Sequence, residues 1–179
     1  MLAAPVTVDI PAQALTSALI ALSRQTGVEV LMSADTVRGL TTEGAQGEMS
    51  LGAALTRLLV SHLPRPVIHV DWSDLDGCRG NYLLRASLAF KGRALALYEQ
   101  VYPLNKKEKP EENKRFLKQL NDILPAHCKP IIVTDSGFKV PWFHLVQQQG
   151  WDFVGRIRGN SMCHTTDYGW LSCQELFKK

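Results

Sequence analysis

Cysteine is scarce in this chain of 179 residues, and what there is lacks pattern. Cys78, Cys128, Cys163 and Cys173 form no C-x-x-C pair and show no zinc-ligand spacing with histidine, so a zinc module is excluded and free thiols are expected. Long apolar runs are also lacking. Nothing approaches the roughly 18 residues that span a bilayer, so no membrane span is expected. The first residues, Met1-Leu2-Ala3-Ala4-Pro5, have neither a basic region nor a long apolar core. They do not read as an intact signal peptide. A cytoplasmic location is therefore expected, or a periplasmic one if an export signal has been removed. No serine–histidine–acid triad can be assembled either, and His144 suggests no role.

The composition is that of a globular protein, with 45% hydrophobic and 21% charged residues. The net charge of +3 hides an asymmetry. Residues 1–63 carry three basic side chains (Arg24, Arg38, Arg57) against five acids, 3 − 5 = −2, and residues 64–179 carry seventeen against twelve, 17 − 12 = +5. The basic second part suits a polyanionic partner, or is an ordinary lysine-rich surface.

In the first part, Val6-Thr7-Val8-Asp9-Ile10 alternates and stops at Pro11, as an edge strand does. Leu15, Ala18, Leu19, Leu22 and Thr26 mark one face of a helix that Gly27 ends. Val28 to Met32 reads as the next strand, Ser33-Ala34-Asp35 as a turn, and Leu40 to Ala45 as a weak strand. Ser50 caps a helix carrying Leu51, Ala54, Leu55, Leu58 and Leu59. Two strings carry a resemblance: Val8-Asp9-Ile10-Pro11-Ala12-Gln13-x-Leu15-x-x-Ala18-Leu19 with Leu22-Ser23-Arg24-Gln25-Thr26-Gly27-Val28, and Gly47-x-x-Ser50-x-x-x-Ala54-Leu55-x-x-Leu58-Leu59. Over residues 5–61 the chain resembles the short N-terminal (STN) domain of secretins and TonB-dependent receptors. The resemblance implies a periplasmic protein-interaction module with a regulator protein as partner. That family continues after its second helix with further strands, whereas this chain passes to Ser61-His62-Leu63-Pro64-Arg65-Pro66. A domain lacking its last strand or strands is expected. Gln25 is expected to bond backbone near the helix end.

The second part carries the chemistry. Val67-Ile68-His69-Val70 ends in Asp71, and Ile131-Ile132-Val133-Thr134 ends in Asp135. Strands are also expected over 82–88, 93–102 and 152–158, and helices over 113–124 and 141–149. Trp142 and Trp151 are expected in the core, and 106–112 as a charged loop. The order β-β-β-α-β-α-β can set strand four parallel to strand one, with both acids at one carboxyl edge. Two close carboxylates repel unless a cation lies between them, and magnesium suits such ligands. A pair of divalent ions roughly 4 Å apart could activate a water and stabilise a leaving 3′ oxygen.

This order resembles the ribonuclease-H-like core of bacterial DDE insertion-sequence transposases. The residues that carry it are Val70-Asp71-Trp72-Ser73-Asp74-Leu75, Arg85-Ala86-Ser87, Lys91-Gly92-Arg93-Ala94, Leu97-Tyr98-Glu99, Thr134-Asp135-Ser136-Gly137-Phe138, Pro141-Trp142-Phe143 and Gly150 to Gly159. It implies an α/β chain in which a truncated ribonuclease-H-like mixed sheet with flanking helices (64–179) follows a small βαβ-type domain (1–63). It implies Asp71 and Asp135 as catalytic, metal-binding carboxylates, Mg2+ (or Mn2+) as cofactor, and DNA as partner. The family's catalytic glutamate has no counterpart in its own context, and Glu175 is a poor stand-in. Arg156, Arg158, Lys106 and Lys107 are the candidate DNA contacts, and Lys109, Lys114, Arg115 and Lys118 extend the basic surface. Asp74 and Asp76 suit turn chemistry better than metal binding. The expectation is a chimeric transposase fragment, inactive alone, with a receptor-type signalling module as the alternative reading.

Overall fold

The computed structural model describes residues 5–90, 92–158, 161–176 and 178. Lys91 and Gly159, quoted above, lie outside the described residues. The chain runs β1 (Pro5–Ile10), β2 (Gln13–Ala14), α1 (Leu15–Thr26), α2 (Ala34–Val37), β3 (Thr41–Thr42), β4 (Ala45–Ser50), α3 (Leu51–Val60) and then β5 (Val67–Asp74). It continues through β6 (Asn81–Phe90), β7 (Arg93–Pro103), α4 (Pro110–Ile123), β8 (Ile131–Thr134), α5 (Val140–Gln148), β9 (Asp152–Gly155), β10 (Met162–Thr165), β11 (Gly169–Ser172) and α6 (Cys173–Leu176).

In the N-terminal region β1 pairs antiparallel with β4, and the short β2 with β3. Leu15, Ala18, Leu19 and Leu22 form the buried stripe of α1, and Gly27 closes the helix at φ +70°. The Ser50 side chain accepts the Ala53 N–H and caps α3, a contact that stabilises by about 0.5–2 kcal/mol. Gln25 bonds backbone, but that of β1: its Nε2 donates to Asp9 O and its Oε1 accepts from Asp9 N, both at 2.9 Å.

Three expectations here are corrected. The weak strand expected over Leu40 to Ala45 divides into β3 and β4, since Gly44 at φ +92° breaks the run. Val28 to Met32 is not a strand. The alternation is real, since Val28, Val30 and Met32 pack against the core while Leu31 is 83% exposed. What the segment lacks, among the described residues, is a neighbouring strand to pair with, and side-chain alternation alone makes no ladder. Ser33 to Asp35 leads into the single helical turn α2 rather than a plain turn.

The second region is a five-stranded mixed sheet in the order β7-β6-β5-β8-β9. The hairpins β5–β6–β7 are antiparallel, and β8 and β9 join in parallel through the α4 and α5 crossovers. Ile68, Val70, Leu84, Ala86, Leu88 and Ile132 face the helices and are at most 1% exposed. Phe116, Leu117 and Leu120 of α4 close that layer, with the Phe116 ring 4.9 Å from that of Tyr98. Trp142 and Trp151 are core residues, as expected. The opposite face carries His69, Asp71, Arg85, Glu99 and Val154, all exposed.

Boundaries differ in four places. β5 runs on to Asp74, because β6 continues to pair with it after β8 has stopped at the Val70–Thr134 pair. α4 starts at Pro110, whose fixed φ and missing N–H suit a first helical position, so Glu111 and Glu112 belong to its first turn rather than to a loop. β9 stops at Gly155, although Arg156 N still donates to Thr134 O at 3.1 Å. An antiparallel hairpin, β10–β11, and the helical turn α6 occupy the tail.

The two regions share one apolar core, which runs from Val8 and Leu15 through Leu58 and Val60 to Ile68 and Phe116. α3 packs on α1 and β1 on one side and on α4 and β7 on the other. At the crossing, His127 Nε2 donates to Ser61 O (2.9 Å), and Cys128 Sγ reaches Leu63 O (3.3 Å) and Val60 O (3.7 Å).

Candidate active site

Two parallel strands bring the acids together. Val70 pairs with Thr134, so Asp71, the next residue of β5, and Asp135, the first residue past β8, both follow that pair at the carboxyl edge of the sheet. Both are exposed. Burial first, and then the like charge of Asp135, push the Asp71 carboxyl above its ordinary value, while the Trp72 backbone and Lys107 oppose the shift.

Asp135 is held by its own turn. Gly137 N donates to Asp135 Oδ1 at 2.8 Å, and a Cβ on Gly137 would stand 3.0 Å from that oxygen. Only glycine leaves the carboxylate both held and uncrowded. Between them, Ser136 Oγ is buried with no hydrogen-bond partner. Two carboxylates at one sheet edge are oxygen donors of the kind that suits a hard divalent cation. Among the described residues no third histidine, cysteine, aspartate or glutamate joins the pair. Glu175 caps its own helical turn instead, accepting from Ser172 N (2.9 Å) and from Ser172 Oγ (2.8 Å).

A transposase DDE domain model matches residues 62–174. The chain belongs to this family. DDE domains of this family typically work with divalent metal ions. The match starts at His62 and leaves residues 1–61 outside it. No curated protein matches. Among solved structures, the large terminase from a thermophilic bacteriophage aligns over 51% of this chain and 23% of its own, at 13% identity and a TM-score of 0.36. The DDE chain thus spans less than a quarter of that terminase.

The candidate DNA contacts of the DDE domain scatter more than the acids do. Lys107 Nζ lies 3.9 Å from the Tyr82 ring centroid, and its charge is felt by Asp71. Lys106 is engaged by the buried Glu112 at 3.0 Å, which Arg115 also pairs at 3.1 Å. Arg156 and Arg158 are exposed but lie beyond the end of β9, so strand alternation does not set their direction. Asp76 serves a turn, accepting from Gly80 N, Asn81 N and Asn81 Nδ2, and these bonds lower its pKa. Asp74 lies 3.7 Å from Arg79 Nε. His144 is exposed on α5.

The sequence reading passed over one arrangement. Asp71 stands directly opposite Arg85, and Arg85 directly opposite Glu99, in one row across β5, β6 and β7. Arg85 Nε donates to Glu99 Oε1. Both residues lie in motifs already noted, but only the strand register reveals that they share a row with the acids.

Among the described residues no helix is long and apolar enough to cross a membrane.

Proposed function

We propose that residues 64–179 are the core portion of a metal-dependent DNA transposase, with Asp71 and Asp135 as two of its catalytic carboxylates. The observation that carries this reading is the parallel pairing of β5 with β8, which sets the two acids next to each other at the carboxyl edge. Asp71 and Asp135 would hold Mg2+ or Mn2+. When bound, such an ion supplies an activated water and charge stabilisation for a leaving 3′ oxygen. The chain's own residues orient and bind. The Gly137 N–H fixes Asp135, and Lys107, Arg156 and Arg158 offer cations to backbone phosphates. Lys106 contributes less, because Glu112 already holds it.

The chain alone has little or no strand-cleavage activity in this reading, since no third carboxylate joins the pair among the described residues. Mn2+ titration followed by electron paramagnetic resonance tests the site. Wild-type protein should bind Mn2+, and Asp71→Asn or Asp135→Asn should each weaken it about tenfold or more. Equal binding by all three proteins would remove the metal assignment. Robust Mg2+-dependent nicking of transposon-end DNA by the pure chain would overturn the inactivity.

We also infer that residues 1–63 descend from a receptor-type STN domain joined in frame to this core. The Val28–Met32 segment, which keeps a strand's alternation with no strand to pair with among the described residues, fits a domain cut short. Inverted repeats in the DNA flanking the gene would fit an insertion. Fractionation that placed the protein in the periplasm would favour the signalling role instead.

A further inference from the structure

Asp71 has an arginine as its cross-strand neighbour and yet does not pair with it. Residues opposite each other on antiparallel strands have Cβ atoms about 5 Å apart, well within reach for an aspartate and an arginine. An arginine fork beside a carboxylate ordinarily forms a two-point ion pair. Here Arg85 turns the other way, onto Glu99 of the outer strand β7. The charges that act on Asp71 are those of Asp135 and Lys107. Arg85 and Glu99 side chains are both about half exposed, so no steric wall forces the choice. Two carboxylates flank one guanidinium, and the farther strand holds it.

We propose that Glu99 is a positioning residue: it holds Arg85 away from Asp71 and keeps that carboxylate open toward a divalent cation. This rests on the reading of Asp71 and Asp135 as the metal-holding pair. An arginine bound to Asp71 would cancel one of the two negative charges that attract the cation and would occupy its oxygens. Holding the arginine on a second acid leaves the strand row intact and the inner carboxylate free. The same contact keeps a cation close to the open face of the sheet without letting it into the acid pair.

The test uses the full chain and Mn2+ alone. Glu99→Gln keeps the size of the side chain but removes the charge that competes for Arg85. It should weaken Mn2+ binding about three- to fivefold. Adding Arg85→Gln should return the affinity to within about twofold of wild type, because the released arginine is then gone. A merely structural role for the pair would not give that rescue. Unchanged binding in Glu99→Gln, or a double variant as weak as the single one, overturns the proposal. If the wild type shows no Asp71-dependent Mn2+ binding, the metal reading fails by itself. The positioning role is then judged on the metal-free crystal structure of Glu99→Gln. Arg85 against the Asp71 carboxylate supports it, and Arg85 turned elsewhere overturns it.

Discussion

The N-terminal region and the five-stranded sheet solve the same problem by different means. In the sheet, every strand pairs with a neighbour, the helices lie against one face, and the two expected acids follow neighbouring strands at one edge. The N-terminal region has three helices, two short ladders and an extended segment that joins no ladder among the described residues. It completes its core by sharing that of the sheet, because α3 is apolar on two sides. The lesson is that α3 belongs to both regions at once, and the border drawn from sequence at residue 63 is not a border in packing.

The largest expected effect tests that shared core. Leu58 of α3 and Phe116 of α4 are both 0% exposed and belong to the same cluster. Leu58→Ala should destabilise by about 2–5 kcal/mol and Phe116→Ala by about 3–5 kcal/mol. Each should lower a single transition in which both regions unfold together. Hydrogen exchange resolved by region checks this, and early loss of protection in residues 5–50 alone under Leu58→Ala would break the picture of one unit.

A smaller effect sharpens the contrast at the edge of the sheet. The Asp71 carboxyl is raised above 3.8, by burial first and by Asp135 second. A raised folded-state pKa adds stability that is fully present below the unfolded value and is lost as pH rises through the folded one. At neutral pH the ionised Asp71 is therefore a burden on the fold. Asp71→Asn should raise the melting temperature at pH 7 by about 2 °C or less, and the gain should vanish toward pH 3. Thermal scans across that range check the sign, and a loss of stability at pH 7 would contradict it. The substitution expected to weaken Mn2+ binding is thus expected to help the fold.

The smallest effect concerns the exposed Arg65–Asp152 pair, which links the connecting segment to β9 at 2.6 Å. Such pairs contribute about 0–1 kcal/mol. Arg65→Ala should change urea stability by no more than that, and any change should shrink in high salt. A larger loss would mean that the connection between the regions depends on charge rather than on apolar packing.

How much was legible in the sequence follows the physics of each element. The β-branched runs that become β5 and β8 are buried on the helix side and end in polar turns, so their pattern and the acids after them are visible in the chain itself. The amphipathic stripes of α1, α3 and α4 read equally well. Val28 to Met32 carries a strand's alternation, but pairing depends on a partner elsewhere in the chain. The length of β5 beyond Asp71 depends on β6 in the same way. The β10–β11 hairpin was passed over although Asp167-Tyr168-Gly169 offers a turn signal, with Gly169 at φ +66°. In the site, Asp71 and Asp135 stand out in the chain because each follows a β-branched run. The Arg85–Glu99 contact does not, because it follows from cross-strand register.

The crossing between the two regions has one more consequence. His127 and Cys128 grip Ser61, Val60 and Leu63 by their main-chain carbonyls, and Lys129 N donates to Pro64 O at 2.9 Å. Every residue type carries that oxygen. Substitutions at 60, 61 and 63 can therefore accumulate without deleting an acceptor, so the two regions can remain joined while the spelling of their seam drifts.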